Sequence, residues 1–358
     1  MAKNSHINNI SIIATVLNDK KTISTFIDSL LNQHFKANEI IIVDGGSIDG
    51  TAEILKEYDS CGKIKLITKK CNIAEGRNIA ISNATNELIA VSDSGCDVDE
   101  FWLDEINQAF LSPKKPDIIA GNYKFNCLTT FEEVVVLATS DPDRESSDAA
   151  IYYPSSRSLA FKKTAWQIAK GYPEWLYAAE DTLFNIRLRQ LGFKFIFAPK
   201  AIVKWRPREN YRALTKQQFN YARGNGRVGI GTRGYYINLY YHFIIFMSLI
   251  LLPFSILFII PASIYSYRHI KNNLWSQAKK ATLYSSIKNV TYQVLIIMEH
   301  SRLVGMLGFI AGRWDRVSNK KFISGAPDAV IEKEKAKLSL VEQALDDLEV
   351  QLNKISSL

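Results

Sequence analysis

Ile40-Ile41-Ile42-Val43-Asp44-Gly45-Gly46-Ser47-Ile48-Asp49-Gly50-Thr51 reads as a buried strand, a tight turn and the start of a helix. Four β-favouring apolar residues in succession suit a strand covered on both faces. Asp44 ends it, two glycines permit a sharp turn, and Ser47 or Asp49 can cap a helix whose apolar face is Ala52, Ile54 and Leu55. Open α/β sheets bind ligands at the carboxyl ends of their strands, so Asp44 is placed to accept hydrogen bonds from a nucleobase or ribose. Taken alone, the segment is equally a plain βα-turn with a capping aspartate.

The neighbouring stretches repeat the pattern. Ser11-Ile12-Ile13-Ala14-Thr15-Val16-Leu17-Asn18 is another buried strand, followed by Ile23, Phe26, Ile27, Leu30 and Leu31 at helical spacing. Strand, helix, strand, helix implies parallel pairing through right-handed crossovers. Asn72 to Ala80 is a polar loop entering a helix and carries Arg77-Asn78; Glu87 to Ser92 is a strand ending in Asp93-Ser94-Gly95-Cys96-Asp97. Two strand-end carboxylates and an Arg-Asn pair thus converge on one sheet edge. The arrangement suits a nucleoside diphosphate, with one aspartate for the base, arginine for phosphate and the other aspartate for a metal.

Over roughly its first two-thirds the chain resembles an inverting family 2 glycosyltransferase of the GT-A fold, a Rossmann-like mixed α/β sheet. The strand with Thr15 and Leu17, the Asp44-Gly45-Gly46-Ser47 turn with Asp49-Gly50-Thr51, Arg77-Asn78 with Asp93-Ser94, and Glu180-Asp181-Thr182-Leu183 occur in that family's order. The resemblance implies a nucleotide-sugar donor (a UDP- or GDP-sugar), a divalent cation, Mg²⁺ or Mn²⁺, and an acceptor hydroxyl. The family's metal motif is usually aspartate-any-aspartate, whereas Gly95 holds the third position here. Asp93 is then the expected metal ligand, phosphate oxygens and water complete its shell, and Asp97 is a lesser candidate. Asp97 and Asp99 are the better caps for the helix with Phe101, Trp102 and Leu103.

Glu180-Asp181 precedes an amphipathic helix ended by Gly192, where acidic residues are favoured by the dipole alone. The chemistry supplies a second reason. An inverting transfer needs one carboxylate to take the acceptor proton during in-line attack. In the matching motif the aspartate does so, which makes Asp181 the expected base and Glu180 its neighbour in the acceptor site. The turn-rich segments Asp141-Pro142-Asp143 and Tyr153 to Arg157 are expected to form acceptor-side loops.

Lys200, Lys204, Arg206, Arg208, Arg212, Lys216, Arg223, Arg227 and Arg233 crowd one region and account for much of the net charge of +8. Lys204-Trp205-Arg206-Pro207-Arg208 lies where related membrane synthases carry a tryptophan-arginine motif, so Trp205, Arg206 and Arg208 are acceptor or phosphate candidates. A solvated basic face and contact with anionic lipid are the other readings, while aromatics at a membrane interface argue against nucleic acid. Gly224-Asn225-Gly226-Arg227-Val228-Gly229 matches the dinucleotide fingerprint, but no strand precedes it. Its glycines are expected in a mobile loop at the site's mouth, from which Arg223 or Arg227 can reach donor phosphate.

His242 to Tyr267 contains no Asp, Glu, Lys or Arg and has tyrosines at both ends. It is long enough to span a bilayer as a helix. Basic residues flank both ends, so the positive-inside tendency does not favour a simple crossing, and Pro253 and Pro261 can break the run into a re-entrant or in-plane pair. Residues 290–311 form a weaker apolar stretch that suits an interfacial helix. Ile331, Leu338, Leu345 and Leu352 take one core position of a heptad, and Val341, Leu348 and Ile355 the other. A coiled coil and a homo-oligomer through residues 328–358 are expected.

Three regions follow: a GT-A domain over 1–232, membrane-associated helices over 233–322, and a linker and coiled coil over 323–358. Four cysteines without paired metal spacing and five scattered histidines give no zinc motif. The polar N-terminus does not read as a signal peptide, so the catalytic domain is expected at the cytoplasmic face of the cell membrane. The function expected is transfer of a sugar to a surface glycan or lipid-linked intermediate. A degenerate transferase serving as a membrane scaffold and a nucleotidyltransferase-like enzyme are the alternatives.

Overall fold

The computed structural model describes residues 9–140 and 154–318. One eight-stranded sheet runs in the order β3-β2-β1-β4-β7-β6-β8-β5. Its first half, β1 (Ile10–Val16), β2 (Glu39–Asp44), β3 (Lys65–Thr68) and β4 (Leu88–Val91), is parallel. The crossovers are α1 (Ile23–Leu31), α2 (Thr51–Ser60) and α3 (Ile73–Asn83). Ile12, Ile13, Ala14, Ile41, Ile42 and Val43 are fully buried. Continuous apolar runs are what a sheet covered on both faces requires. Their side chains alternate as strand geometry demands: Ile12 and Ile42 pack with α1, Ile13 and Ile41 with α3.

The second half is mixed in direction. It comprises β5 (Cys96–Val98), β6 (Ile118–Phe125), β7 (Leu159–Lys162) and β8 (Phe195–Trp205), with α4 (Trp102–Phe110), α5 (Thr130–Thr139), α6 (Lys163–Ile168) and α7 (Glu180–Gln190) between them. β7 is antiparallel to both β4 and β6, and Leu159 pairs with Val91 on one side and Ala120 on the other. β6 and β8 are parallel, with Phe125 opposite Trp205. One edge of the sheet therefore gathers the carboxyl ends of β1, β2, β4, β6 and β8 and the amino end of β7.

A helical layer follows. α8 (Tyr211–Val228) and α12 (Val290–Ser318) form its main contact. Glycines let the two backbones touch: a Cβ on Gly226 would lie 2.3 Å from the Phe309 carbonyl oxygen, and one on Gly312 would lie 2.0 Å from that of Arg223. The Gly224–Gly229 stretch is thus the last turn of a helix and its cap, not the mobile loop expected from sequence. Small residues at a helix interface serve close approach.

α9 (Thr232–Leu251) and α10 (Ile259–His269) make a hairpin that breaks at Pro253, and α11 (Trp275–Tyr284) returns the chain to α12. The apolar run is therefore not one straight helix. Proline removes a helical donor and clashes with the preceding turn; Pro261 is tolerated because it falls in the first turn of α10. Thr232–Leu251 and Val290–Arg316 are each long and apolar enough to cross a membrane. The heptad stretch 328–358 lies outside the described residues.

Candidate active site

Two loops, after β1 and after β2, meet at the carboxyl edge of the sheet. Asn18, after β1, takes a left-handed backbone with φ of 53°. Its amide donates to Ser47 Oγ at 2.9 Å, and its side-chain oxygen accepts from the Ile48 amide at 2.9 Å. Asp19 and Lys20 amides donate to Thr51 Oγ1 (2.8 Å) and Asp49 Oδ2 (3.1 Å). Asp49 therefore latches the two loops together, while Gly50, at φ 98°, occupies the position before the helix.

Asp44 is engaged within its own turn. It is 0% exposed, and its Oδ1 accepts from the Ser47 hydroxyl at 2.6 Å and the Ser47 amide at 3.1 Å. Its lone pairs are directed into its own turn, because a strand-end carboxylate followed by glycines finds the nearest backbone donors first. Gly46 adopts φ 97° in that turn, and Leu17 projects to solvent on the rim.

Beyond these loops a cavity of about 590 Å³ is lined by Thr15, Arg77, Asp93, Ser94, Arg157, Tyr177, Glu180, Asp181, Trp205 and Arg208 among others. Thr15 Oγ1 is buried in it with no hydrogen-bond partner. At its floor Arg77, 1% exposed, bridges two acids: Nη2 donates to Asp93 Oδ1 at 2.5 Å and Nη1 to Glu180 Oε1 at 2.8 Å. The guanidinium lies 5.3 Å from the Tyr172 ring centroid. Burial alone would lower the affinity of Arg77 for its proton, but the flanking carboxylates outweigh it and hold the proton more firmly than usual. The guanidinium expected at phosphate is thus also engaged in an internal clamp, at the lining of the cavity.

Asp93 keeps Oδ2 without a hydrogen bond among the described residues. Asp181 lies in the first turn of α7; its Oδ1 accepts from the Thr182 amide at 2.7 Å, and Oδ2 has only a long contact of 3.4 Å from the Ser156 amide. Burial and the adjacent Asp181 charge push the Glu180 pKa upward, against the pull of Arg77. Ala179 at φ 64° sets the helix start so that both acids face inward.

Other sequence candidates go elsewhere. The Asn78 side chain donates to the Tyr172 carbonyl and Glu174 carboxylate and accepts from the Trp166 indole, each at 2.9 Å, so it pins the loop over residues 166–174. Asp97 is half-exposed on β5, 3.9 Å from Lys204, and does not line the cavity. Asp99 Oδ1 accepts from the Phe101 amide at 3.1 Å in the turn before α4, whose own N-cap residue, Phe101, makes no side-chain cap. Arg206 pairs with the buried Glu132 at 2.7 Å. Arg223 and Arg227 both bind Asp315 of α12 at 2.7 Å, and neither lines the cavity. Charge partners contributed by distant segments drew these arginines away.

Arg157 is the cation the sequence did not single out. Its guanidinium stacks 4.1 Å from the Trp205 ring centroid and donates to Ser155 Oγ (3.0 Å) and Tyr221 Oη (3.1 Å). Entry of β7 at the edge where β4 leaves brings it beside Asp93, whose charge helps keep it protonated. A second cavity of about 610 Å³ shares Tyr123, Arg157, Trp205, Tyr221 and Asn225 with the first and extends toward the helical layer.

The sheet is a mixed α/β sheet of GT-A type, with carboxylates gathered at one edge. Residues 11–158 match the family model described as Glycosyl transferase family 2. Glycosyltransferase AglE of Haloferax volcanii is 22% identical over 227 residues, covering 61% of this chain and 73% of that protein. The poly-beta-1,6-N-acetyl-D-glucosamine synthase of Staphylococcus epidermidis is 24% identical over 239 residues, covering 64% and 58% respectively. The chain thus spans little more than half of that synthase. Among solved structures, the mannosyltransferase PcManGT from Pyrobaculum calidifontis in complex with GDP-Man and Mn²⁺ aligns with TM-score 0.47 and 14% identity, covering 94% of this chain and 81% of that one. A second family model, the valyl tRNA synthetase tRNA binding arm, matches residues 302–356, which begin in α12 and run beyond the described residues.

Proposed function

We propose that the protein transfers a sugar from a nucleoside-diphosphate sugar to a glycan or lipid-linked hydroxyl, with inversion at the anomeric carbon. One observation carries the reading: Asp93 and Asp181 line the same cavity, each with a carboxylate oxygen not saturated by the protein, and Arg77 fixes the floor between them. In a single displacement the acceptor oxygen bonds to the anomeric carbon while its proton passes to Asp181. The bond from that carbon to the diphosphate breaks, and its electron pair leaves with the diphosphate. Arg77 is already neutralised, so Arg157 and Arg208 are the lining cations for the departing charge.

The donor set fits a hard divalent cation. Asp93 Oδ2 is an unoccupied anionic oxygen beside the space for the diphosphate, and Asp97 stands away from it, so one protein carboxylate would hold Mg²⁺ or Mn²⁺ with phosphate and water. Such an ion neutralises charge on the leaving diphosphate. On the acceptor side, Gln217, Gln277, Asn225 and Ser301 with Trp205 and Tyr221 offer planar amides, a hydroxyl and aromatic faces, a lining suited to sugar rings. Asp181→Asn tests the scheme: transfer measured with a donor panel should fall about 10²- to 10⁴-fold with donor affinity little changed. Full activity in that variant would remove Asp181 as the base.

We further propose that the hairpin seats the enzyme on a membrane by entering one leaflet. Its tip is bare, with Phe254 81% exposed and Ile256 and Leu257 similarly open, and tyrosines 240, 241 and 265 meet at its root. The thirteen residues from His242 to Phe254 would reach about 18 Å at helical rise, somewhat over half of a ~30 Å hydrocarbon core. A thiol at Leu257→Cys in membrane vesicles should resist an impermeant reagent added to either side. Labelling from the side opposite the catalytic domain would instead mean a full crossing.

A further inference from the structure

Three ligand-type side chains unused by sugar transfer meet at the root of the hairpin. His242 comes from α9, His269 from the end of α10 and Glu299 from α12, and their ligating atoms all lie within 4.8 Å of one another. Glu299 faces both rings, with Oε1 at 2.7 Å from His242 Nε2 and Oε2 at 2.9 Å from His269 Nε2.

The far nitrogens are held as well. His242 Nδ1 is 2.7 Å from the Asn238 carbonyl oxygen. That oxygen only accepts, so Nδ1 carries a proton and Nε2 is the ring atom turned toward Glu299. A metal ion in place of a proton at Nε2 would meet the same ring nitrogen and carboxylate. His269 Nδ1 lies 3.4 Å from the Asn273 side-chain amide, whose reversal would present oxygen to an Nδ1 proton.

An outer layer fixes these supports. Arg302 donates to Asn238 Oδ1 and to the Asn273 carbonyl, both at 2.8 Å. The two residues that orient the histidines are therefore tied together by one guanidinium. Metal-bound histidines carry this kind of support: the second ring nitrogen is held, and the holder is itself held. His269 is buried, whereas His242 and Glu299 are partly exposed, which leaves an approach for an ion.

We propose that His242, His269 and Glu299 bind one borderline transition-metal dication of the Zn²⁺ kind, fastening the hairpin to α12. Two imidazoles and a carboxylate with a water as fourth ligand are a nitrogen-oxygen set that Zn²⁺ accepts readily, unlike the oxygen-only set at Asp93. The site is separate from sugar transfer and does not depend on that assignment.

The test uses the full chain in detergent, stripped with a chelator and kept in millimolar Mg²⁺ so that hard-oxygen sites are filled. Zn²⁺ is titrated against a chromogenic chelator. One tight equivalent is expected, weakened about 100-fold or more in His269→Gln and in Glu299→Gln and retained in Asp93→Ala. As a measurement that needs no variant, the melting temperature of the wild-type chain should rise on addition of Zn²⁺. Absence of tight binding and of that rise in the wild type would leave only a hydrogen-bonded histidine–glutamate bridge. Unchanged affinity in folded His269→Gln, or loss in Asp93→Ala, would place the ion elsewhere and overturn the assignment.

Discussion

Two charge triads of opposite composition organise this molecule. At the sheet edge a cation lies between two anions, Arg77 between Asp93 and Glu180. In the helical layer an anion lies between two cations, Asp315 between Arg223 and Arg227. Both centres are buried, yet they differ in what remains unsatisfied. Asp315 uses both oxygens, Oδ1 toward Arg223 and Oδ2 toward Arg223 and Arg227, and the closed set ties α12 to α8. The Arg77 set borders a cavity in which Asp93 retains an oxygen without a hydrogen bond among the described residues. A closed triad fastens; an open one can receive a ligand.

The sharpest attack on this contrast is Asp93→Ala. It should abolish transfer, with a circular dichroism spectrum unchanged from wild type, because the divalent ion loses its protein carboxylate. Measurable turnover at near wild-type rates would show that the open oxygen is not used.

Arg77→Lys comes next. Lysine keeps the charge but lacks the planar fork, so it cannot reach both acids at once. A fall in kcat of about 10²-fold, larger than any change in donor affinity, is expected from misplacement of Asp93 and Glu180. If kcat held and only donor affinity fell, Arg77 would be a phosphate ligand after all.

Asp315→Asn should act on stability instead. Two arginines lose their counter-charge in a largely buried position, a loss of about 3 kcal/mol. Denaturant midpoints would register this, while transfer measured well below the melting temperature should stay within a few-fold of wild type. A selective loss of activity at intact stability would erase the distinction between the two triads.

Much of the parallel half-sheet was legible because its information is local. Ile12–Ala14 and Ile41–Val43 are apolar without interruption, and each run is followed by a helical period. That Asp93, Glu180 and Asp181 share one cavity was legible for a similar reason, since each stands at an element end on the same sheet edge. Asp44's hydrogen bonds to Ser47 were not legible: a strand-end carboxylate can turn outward or back into its own turn, and the choice depends on loop geometry. Arg157 gave no signal, since its importance comes from β7 running antiparallel beside β4 and from Trp205 and Tyr221 arriving from later in the chain.

Sequence by itself determined the strand and helix periods, the order of the acidic motifs and the apolar stretch that Pro253 breaks. These follow from backbone preference and short-range patterning. Tertiary structure decided which of the many arginines face the cavity, because each is long, flexible and drawn to the nearest unpaired carboxylate. It assigned Arg77 to Asp93 and Glu180, Arg206 to Glu132, and Arg223 and Arg227 to Asp315, leaving Arg157 and Arg208 at the cavity. Partners from 16 to 103 residues away made those assignments, and that separation is what local sequence patterns do not encode.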